Sequence, residues 1–312
     1  MKAELYLKAA IFAVALGSVL AVPEAAAKHP ESGTSFETHG VTIYYEVLGS
    51  GSGLPLIVVN GGPGFDHSYL HASSAWETLA QHRRVIFYDQ RGTGRSISST
   101  KGQTFTLADQ ISDLEDLRAQ LGADKIDLLG HSWGGYLVMA YAARHPEHIA
   151  HLTIVDSAAP HFDDTIFLFK DVFPEGTERQ ENVSFAEDMG DRTAVDADLR
   201  EYIRMLFYST QKRDEFVADF SADAYHKDVN EAVVNDIKRF DLNPELKKFR
   251  FPTLVITGRY DINVAPRVAY KIHQTIPGSR FQVFEHSGHL PFFEEPDAFV
   301  KLIEEFLAAT GK

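Results

Sequence analysis

The chain has 312 residues, 44% of them hydrophobic and 24% charged, enough to bury a large core as one domain plus an insertion. Its formal net charge of −14 argues against nucleic acid and anionic membrane as partners and keeps the surface solvated, with some attraction for cationic substrates. There is no cysteine, which excludes disulfides and a lipid-modified cysteine.

The first segment reads as an export signal. A short polar start with Lys2 and Lys8 precedes the apolar run "AAIFAVALGSVLAV", and "PEAAA" supplies a small-residue cleavage site ending at Ala27. The run is too short to span a bilayer comfortably, so residues 1–27 are expected to leave a mature chain starting at Lys28, periplasmic or extracellular, with no stable membrane association. Beyond the linker "KHPESGTS", the stretch "SFETHGVTIYYEVLG" alternates like a hairpin with "THG" as its turn. "GLPLIVVNGGPG" and "RRVIFYDQRGTGRS" each read as a buried strand running into a glycine-rich loop, with a helical stretch, "SSAWETLAQH", between them. "TLADQISDLEDLRAQLG" spaces Leu107, Ile111, Leu114, Leu117 and Leu121 as one face of a helix, stopped by Gly122.

The strand "KIDLLG" then turns within a few small residues into the helical stretch "GGYLVMAYAARHPEH". Gly130 and Gly134 flank Ser132 at i−2 and i+2, where a tight strand-to-helix turn has no room for Cβ atoms, so the hydroxyl is held out at the strand's C-terminal edge. After "IAHLTIVDSAAP" the alternation of strand and helix stops. Residues 159–248 read as an all-helical cap: Leu199, Ile203, Leu206 and Phe207 share one helical face, and Val229, Val233, Ile237 and Phe240 another. The alternation resumes at "FPTLVITGRYD" and ends with the helix "PDAFVKLIEEFLAAT". This order predicts an α/β core from residues 28–158 and 249–312, a mostly parallel sheet with helices on both faces, entered by an antiparallel hairpin.

Serine is a poor nucleophile unless a base, itself oriented by an acid, takes its proton. Asp261 ends the strand "LVITGRYD", and His289 follows the last strand in "EHSGHLPFFEEP", which gives the chain order Ser132, Asp261, His289 that accompanies a G-x-S-x-G turn on a parallel sheet. His286 is the rival base, but it sits at the strand end itself, whereas His289 lies on the loop beyond. His131, beside the serine, is expected to be packed and not the base. The oxyanion needs two N–H donors, for which Trp133, at the start of a helix, and Gly62, in "NGGPG", are placed. "NGGPG" lacks the Lys-Ser/Thr ending of a phosphate loop, and a His286–His289 metal pair lacks a third ligand, so neither cofactor nor metal is expected.

The motifs "GGPG", "DQRGTGRS", "GHSWGG", "GRYD" and "SGH", in this order and spacing, resemble the proline iminopeptidase-like branch of the α/β-hydrolase family over nearly all of the chain outside signal and cap. The resemblance implies the same Ser132, Asp261 and His289 triad and the Gly62–Trp133 oxyanion site, with Asp89 and Arg91 bracing the loops as salt-bridge partners. The chain departs from the family in carrying Asn60 where His is usual, a change expected to preserve hydrogen bonding to the loop. Iminopeptidases hold the substrate's free α-amine with cap glutamates; Glu175, Glu178, Glu181 and Glu187 are the candidates here, although none falls in a recognisable local motif. The leading expectation is an exported serine hydrolase that cleaves small amides or short peptides at the N-terminus through an acyl-enzyme. A carboxylesterase or lactonase acting on small apolar esters is the alternative, and a non-catalytic ligand-binding protein on the same fold is a third reading.

Overall fold

The structure is a computed structural model that describes residues 33–96 and 102–309; the expected export segment lies outside the described residues. Strands β1 (Thr34–Thr38) and β2 (Val41–Leu48) pair antiparallel with Thr38 opposite Val41. The two-residue turn between them, His39 and Gly40, has φ of 47° and 77°, the left-handed pair that a tight hairpin turn requires.

Six further strands follow: β3 (Leu56–Val59), β4 (Val85–Tyr88), β5 (Ile126–His131), β6 (Ile149–Val155), β7 (Thr253–Gly258) and β8 (Arg280–Phe284). They form one eight-stranded sheet in the order β1-β2-β4-β3-β5-β6-β7-β8. β2 runs antiparallel to both neighbours, and every pairing from β4 to β8 is parallel.

Parallel neighbours need crossovers, and helices supply them. The helices outside the β6–β7 connection are α1 (Ala75–Ala80), α2 (Leu107–Gln120), α3 (Trp133–Arg144), α10 (Pro266–Thr275), α11 (Pro291–Glu294) and α12 (Pro296–Leu307). Because successive strand residues point to opposite faces, "LIVV" and "VIFY" feed two cores at once. Leu56, Val58, Val85 and Phe87 pack with Trp76, Leu79, Phe292 and Phe299 on one side. Ile57, Val59, Ile86 and Tyr88 pack with Leu114, Leu117, Tyr136 and Ile272 on the other. Each fully buried apolar side chain contributes roughly 1.5–3 kcal/mol. Helix α2 starts on a capping box, Thr106 Oγ1 accepting from Asp109 N while Asp109 accepts from Thr106 N, and the chain turns out of it at Gly122, φ 65°.

Between β6 and β7 the chain is helical: α4 (Phe169–Val172), α5 (Pro174–Asp188), α6 (Arg192–Arg204), α7 (Thr210–Asp219), α8 (Lys227–Ile237) and α9 (Asn243–Leu246). Leu199 and Ile203 are the buried apolar face of α6, but α6 ends before Leu206 and Phe207, which lie on the following turn. Val229, Val233 and Ile237 share the buried face of α8, whereas Phe240, beyond its end, is 39% exposed. With Leu242, Leu246 and Phe249, the α8 residues join the same core as α2 and α3. The C-terminal part of the insertion is thus part of the sheet's own packing.

Arg91 locks the loop after β4 to α2. Its guanidinium makes two 2.6 Å bonds to the Asp113 carboxylate and one to the Thr104 carbonyl, with Asp109 at 3.3 Å. Asp89 engages His67 Nδ1 and the backbone N–H of Arg95. The two residues expected to brace the loops do so through separate partners. Arg91→Leu strands the buried Asp113 carboxylate, and urea denaturation should record a loss of about 3–5 kcal/mol. A loss below about 1 kcal/mol would show that the pair is not what holds the loop.

Candidate active site

Ser132 sits between β5 and α3 with φ 57° and ψ −119°, a conformation that a non-glycine residue keeps only when its surroundings enforce it. The enforcement is close backbone contact. A Cβ on Gly130 would lie 2.2 Å from the Gly134 carbonyl oxygen, and one on Gly134 would lie 2.2 Å from that of Val59. Ser132 N donates to the Val155 carbonyl, which ties the turn to the end of β6.

Asp261 and His289 arrive from β7 and β8 at the same sheet edge. His289 Nδ1 lies 2.8 Å from Asp261 Oδ2, and both residues are buried. Asp261 Oδ1 accepts from the backbone N–H groups of Asn263 and Val264, which fixes the carboxylate and leaves Oδ2 for the imidazole. Ser132 and His289 line one small cavity with Gly61, Gly62, Tyr69, Leu206 and Phe216. His289 Nε2 is 2.9 Å from Asn263 Nδ2, so the side-chain amide holds the nitrogen that a serine hydroxyl would use. His286 is exposed and lies against Tyr208, away from Asp261.

Burial favours the uncharged form on both sides of the pair. It is the largest influence lowering the His289 pKa, with Asp156 opposing, and it raises that of Asp261 against the pull of its backbone donors. Asp156, at the end of β6 with φ 44°, is a third buried group in this cluster. Its Oδ1 accepts from Gly258 N. Burial and the neighbouring Asp261 push its carboxyl well above the ordinary range.

His131 is packed, as its position beside the turn suggested. Its Nε2 donates to the His289 carbonyl at 2.8 Å, and its Nδ1 accepts from Tyr69 Oη at 2.7 Å. Tyr69 Oη in turn accepts from Gly61 N at 2.6 Å. Burial and the nearby His289 keep His131 neutral, which allows this one-way chain of hydrogen bonds. The chain links the glycine loop after β3 to the base loop after β8. Asn60 Nδ2 bonds the carbonyls of Gly61, Phe65 and Asp66, and Gln90 Nε2 donates to Asn60 Oδ1. Asn60 therefore supports the loop by hydrogen bonding.

Gly62, φ 57°, and Trp133 line a second cavity of about 310 Å³ that also opens on Ser132. The insertion contributes Phe162, Phe167, Phe169, Gln180, Asp198, Tyr202, Tyr225 and Asn230 to it. None of the four cap glutamates is among its lining residues. Glu175 and Glu178 are exposed, Glu181 pairs with Lys170, and Glu187 pairs with Lys227. The carboxylate in the cavity wall is Asp198, its pKa raised by burial and by Glu187 behind it and lowered by a hydrogen bond from Gln180. Asp198 lies in "DADLREY", where a polar residue on an amphipathic helix carries no sign of facing a cavity. Asn263 and Asp156 were legible only as polar residues just past strand ends.

The base loop has its own supports. Gly288 N donates to Glu294 Oε2, His286 N and Ser287 Oγ donate to Glu295 Oε2, and His289 N donates to the Leu206 carbonyl. Glu294 Oε1 also accepts from Tyr208 N and Ser209 N, so one carboxylate joins the insertion to the base loop.

Residues 55–296 match the family model described as the alpha/beta hydrolase fold, and the chain belongs to this family of hydrolases. Among its relatives, the proline iminopeptidase of Saccharolobus solfataricus is 32% identical over 286 residues, spanning 86% of this chain and 89% of that protein. Among solved structures, a thermophilic esterase from Thermogutta terrifontis superposes with a TM-score of 0.67 at 27% identity, covering 88% of this chain and 98% of its own. An enol-lactonase from Burkholderia xenovorans LB400 superposes with a TM-score of 0.65 at 25% identity, covering 88% of this chain and all of its own.

An imidazole acts as a base only when neutral, and burial lowers the His289 pKa below the ordinary value of about 6.5. The kcat/KM profile should therefore rise with pH through a midpoint below about 6.5 and stay flat through neutrality. A midpoint above 7 would mean that a charged partner, and not burial, governs the group in control.

Proposed function

We propose that this protein is a serine hydrolase that releases an N-terminal residue from small amides or short peptides. The observation that carries the reading is the cavity that joins Ser132 to the half-buried Asp198 carboxylate. Asp198 supplies the acidic partner that a substrate α-ammonium needs once it is partly desolvated. Gln180, Tyr202 and Asn230 offer further polar contacts in the same wall, and the phenylalanines offer an apolar one. The similarity to proteins named proline iminopeptidase supports the same substrate class.

In this mechanism His289 Nε2 leaves Asn263 and takes the proton of Ser132 Oγ as that oxygen attacks the substrate carbonyl. Asp261 holds the imidazole with Nδ1–H towards the carboxylate, so Nε2 is the basic nitrogen. The N–H groups of Gly62 and Trp133 stabilise the oxyanion, Trp133 at the positive end of α3. His289 then passes its proton to the leaving amine, and water hydrolyses the acyl-enzyme by the same steps in reverse order. Cleavage after Ala27 would place this activity outside the cytoplasm.

The alternative is ester or lactone hydrolysis by the same residues, favoured by the small apolar cavity lined by Ile203, Leu206, Phe216, Phe220 and Leu290 beside Ser132. Acetylating the substrate amine separates the two. On the peptidase reading acetylation lowers kcat/KM about tenfold or more, Asp198→Asn reproduces that loss on the free-amine substrate, and a nitrophenyl ester is hydrolysed as before. Equal rates on free and acetylated substrates, with Asp198→Asn silent, would leave esterase as the function.

A further inference from the structure

On the far side of β4 from α2, three side chains converge that the hydrolytic site does not use. Glu46 comes from β2, and His67 and His71 from the short helix His67–Ala72. One ligand atom of each, Glu46 Oε2, His67 Nε2 and His71 Nε2, lies within 4.8 Å of the other two. The side chains are only 3–8% exposed. Glu46 Oε2 is 3.4 Å from His67 Nε2 and 3.0 Å from His71 Nε2.

The other ends of these groups are already committed. His67 Nδ1 is 2.6 Å from Asp89 Oδ1, so it donates there and leaves Nε2 turned towards Glu46. Tyr44 Oη donates to Glu46 Oε1 at 2.7 Å, which turns Oε2 towards the imidazoles. His67 Nε2 then faces a carboxylate oxygen at a separation longer than a well-formed hydrogen bond. The Asp89 and Glu46 carboxylates on either side of the ring call for positive charge there, which a ring proton or a metal ion supplies. A 3.4 Å separation is long for a charge-assisted N–H···O bond, which prefers about 2.7–2.9 Å. It matches the edge of a tetrahedron around zinc, about 3.3 Å for bonds of 2.0–2.1 Å.

The geometry points to a structural site for a divalent first-row transition metal, zinc by its donor set, held by Glu46, His67 and His71. Two imidazoles and one carboxylate form a borderline donor set suited to zinc. Asp89 behind His67 is the carboxylate–histidine support that such ligands have. A dication would also offset the Glu46 and Asp89 carboxylates, beside which Arg95 Nη1 lies 3.9 Å from Glu46 Oε1. The Phe87 ring packs on both histidines and closes the site from one side. Bound there, the metal would fasten the segment after the glycine loop to β2. Glu46 lies 21 positions before His67, so no local spacing in the sequence points to this cluster.

The test is metal content and thermal stability of the full, untagged chain produced in zinc-supplemented medium and desalted. The wild type should retain about one zinc per chain, and stripping it with a chelator should lower Tm by about 3–6 °C. Cobalt replacing zinc should give the visible absorption of a low-coordinate site. His71→Leu and Glu46→Gln should each abolish stoichiometric metal while ester hydrolysis persists. If one variant fails to fold, the other variant and the wild-type cobalt spectrum decide. A wild type without stoichiometric zinc, or zinc retained unchanged in a variant, would overturn the site and leave a proton shared between His67 and Glu46 as the source of charge.

Discussion

The tight turn at Ser132 constrains everything at the sheet's C-terminal edge. A non-glycine residue at φ 57° is costly, and it persists here because Gly130 and Gly134 let three backbone segments approach to distances that no Cβ would permit. The strain and the exposure of the hydroxyl have one cause: a chain that must pass from β5 into α3 with no room to relax. Trp133 N is brought to the start of the helix by the same turn, so the proposed nucleophile and the proposed oxyanion donor are positioned by a single piece of backbone.

The second constraint is how His289, the proposed base, is carried. His289 lies on a loop, which alone would be a mobile place for a catalytic group. It is held instead from four directions: Asp261 at Nδ1, the Leu206 carbonyl at its N–H, His131 at its carbonyl, and Glu294 through Gly288. Two of these contacts involve the insertion directly or through Glu294, which also binds Tyr208 and Ser209. Motion of the helices over the site is therefore mechanically coupled to the base. In the proposed mechanism the resting bond from Asn263 to His289 Nε2 would add a step, since Nε2 must exchange an amide for a hydroxyl before it accepts a proton.

Much of this was legible in the chain because it is local. Strands β3 to β8 announce themselves as apolar runs ending in glycine-rich or polar loops, and α2 carries both its cap and its stop in sequence. His286 does not sit at the strand end as its position suggested: both histidines lie past the end of β8, and His289 meets Asp261 while His286 lies against Tyr208. The wall of the cavity beside Ser132 was not legible, because choosing Asp198 over the acidic residues around it requires knowing how α6 is rotated against its neighbours. The same limit explains Phe240, whose spacing fits a helical face that the chain has already left by residue 237. Asp156, Tyr69 and the Glu294–Glu295 pair act through contacts between segments far apart in sequence, and periodicity carries no trace of those.

The account's central claim is that Ser132 Oγ forms the covalent intermediate. The most direct measurement is mass spectrometry of peptides from protein treated with a fluorophosphonate, compared with protein quenched during turnover of a slow ester. Both should carry their adduct on the peptide containing Ser132 and nowhere else, and both adducts should vanish in Ser132→Ala, which still folds. An adduct on another residue, or one that persists in Ser132→Ala, would contradict the account.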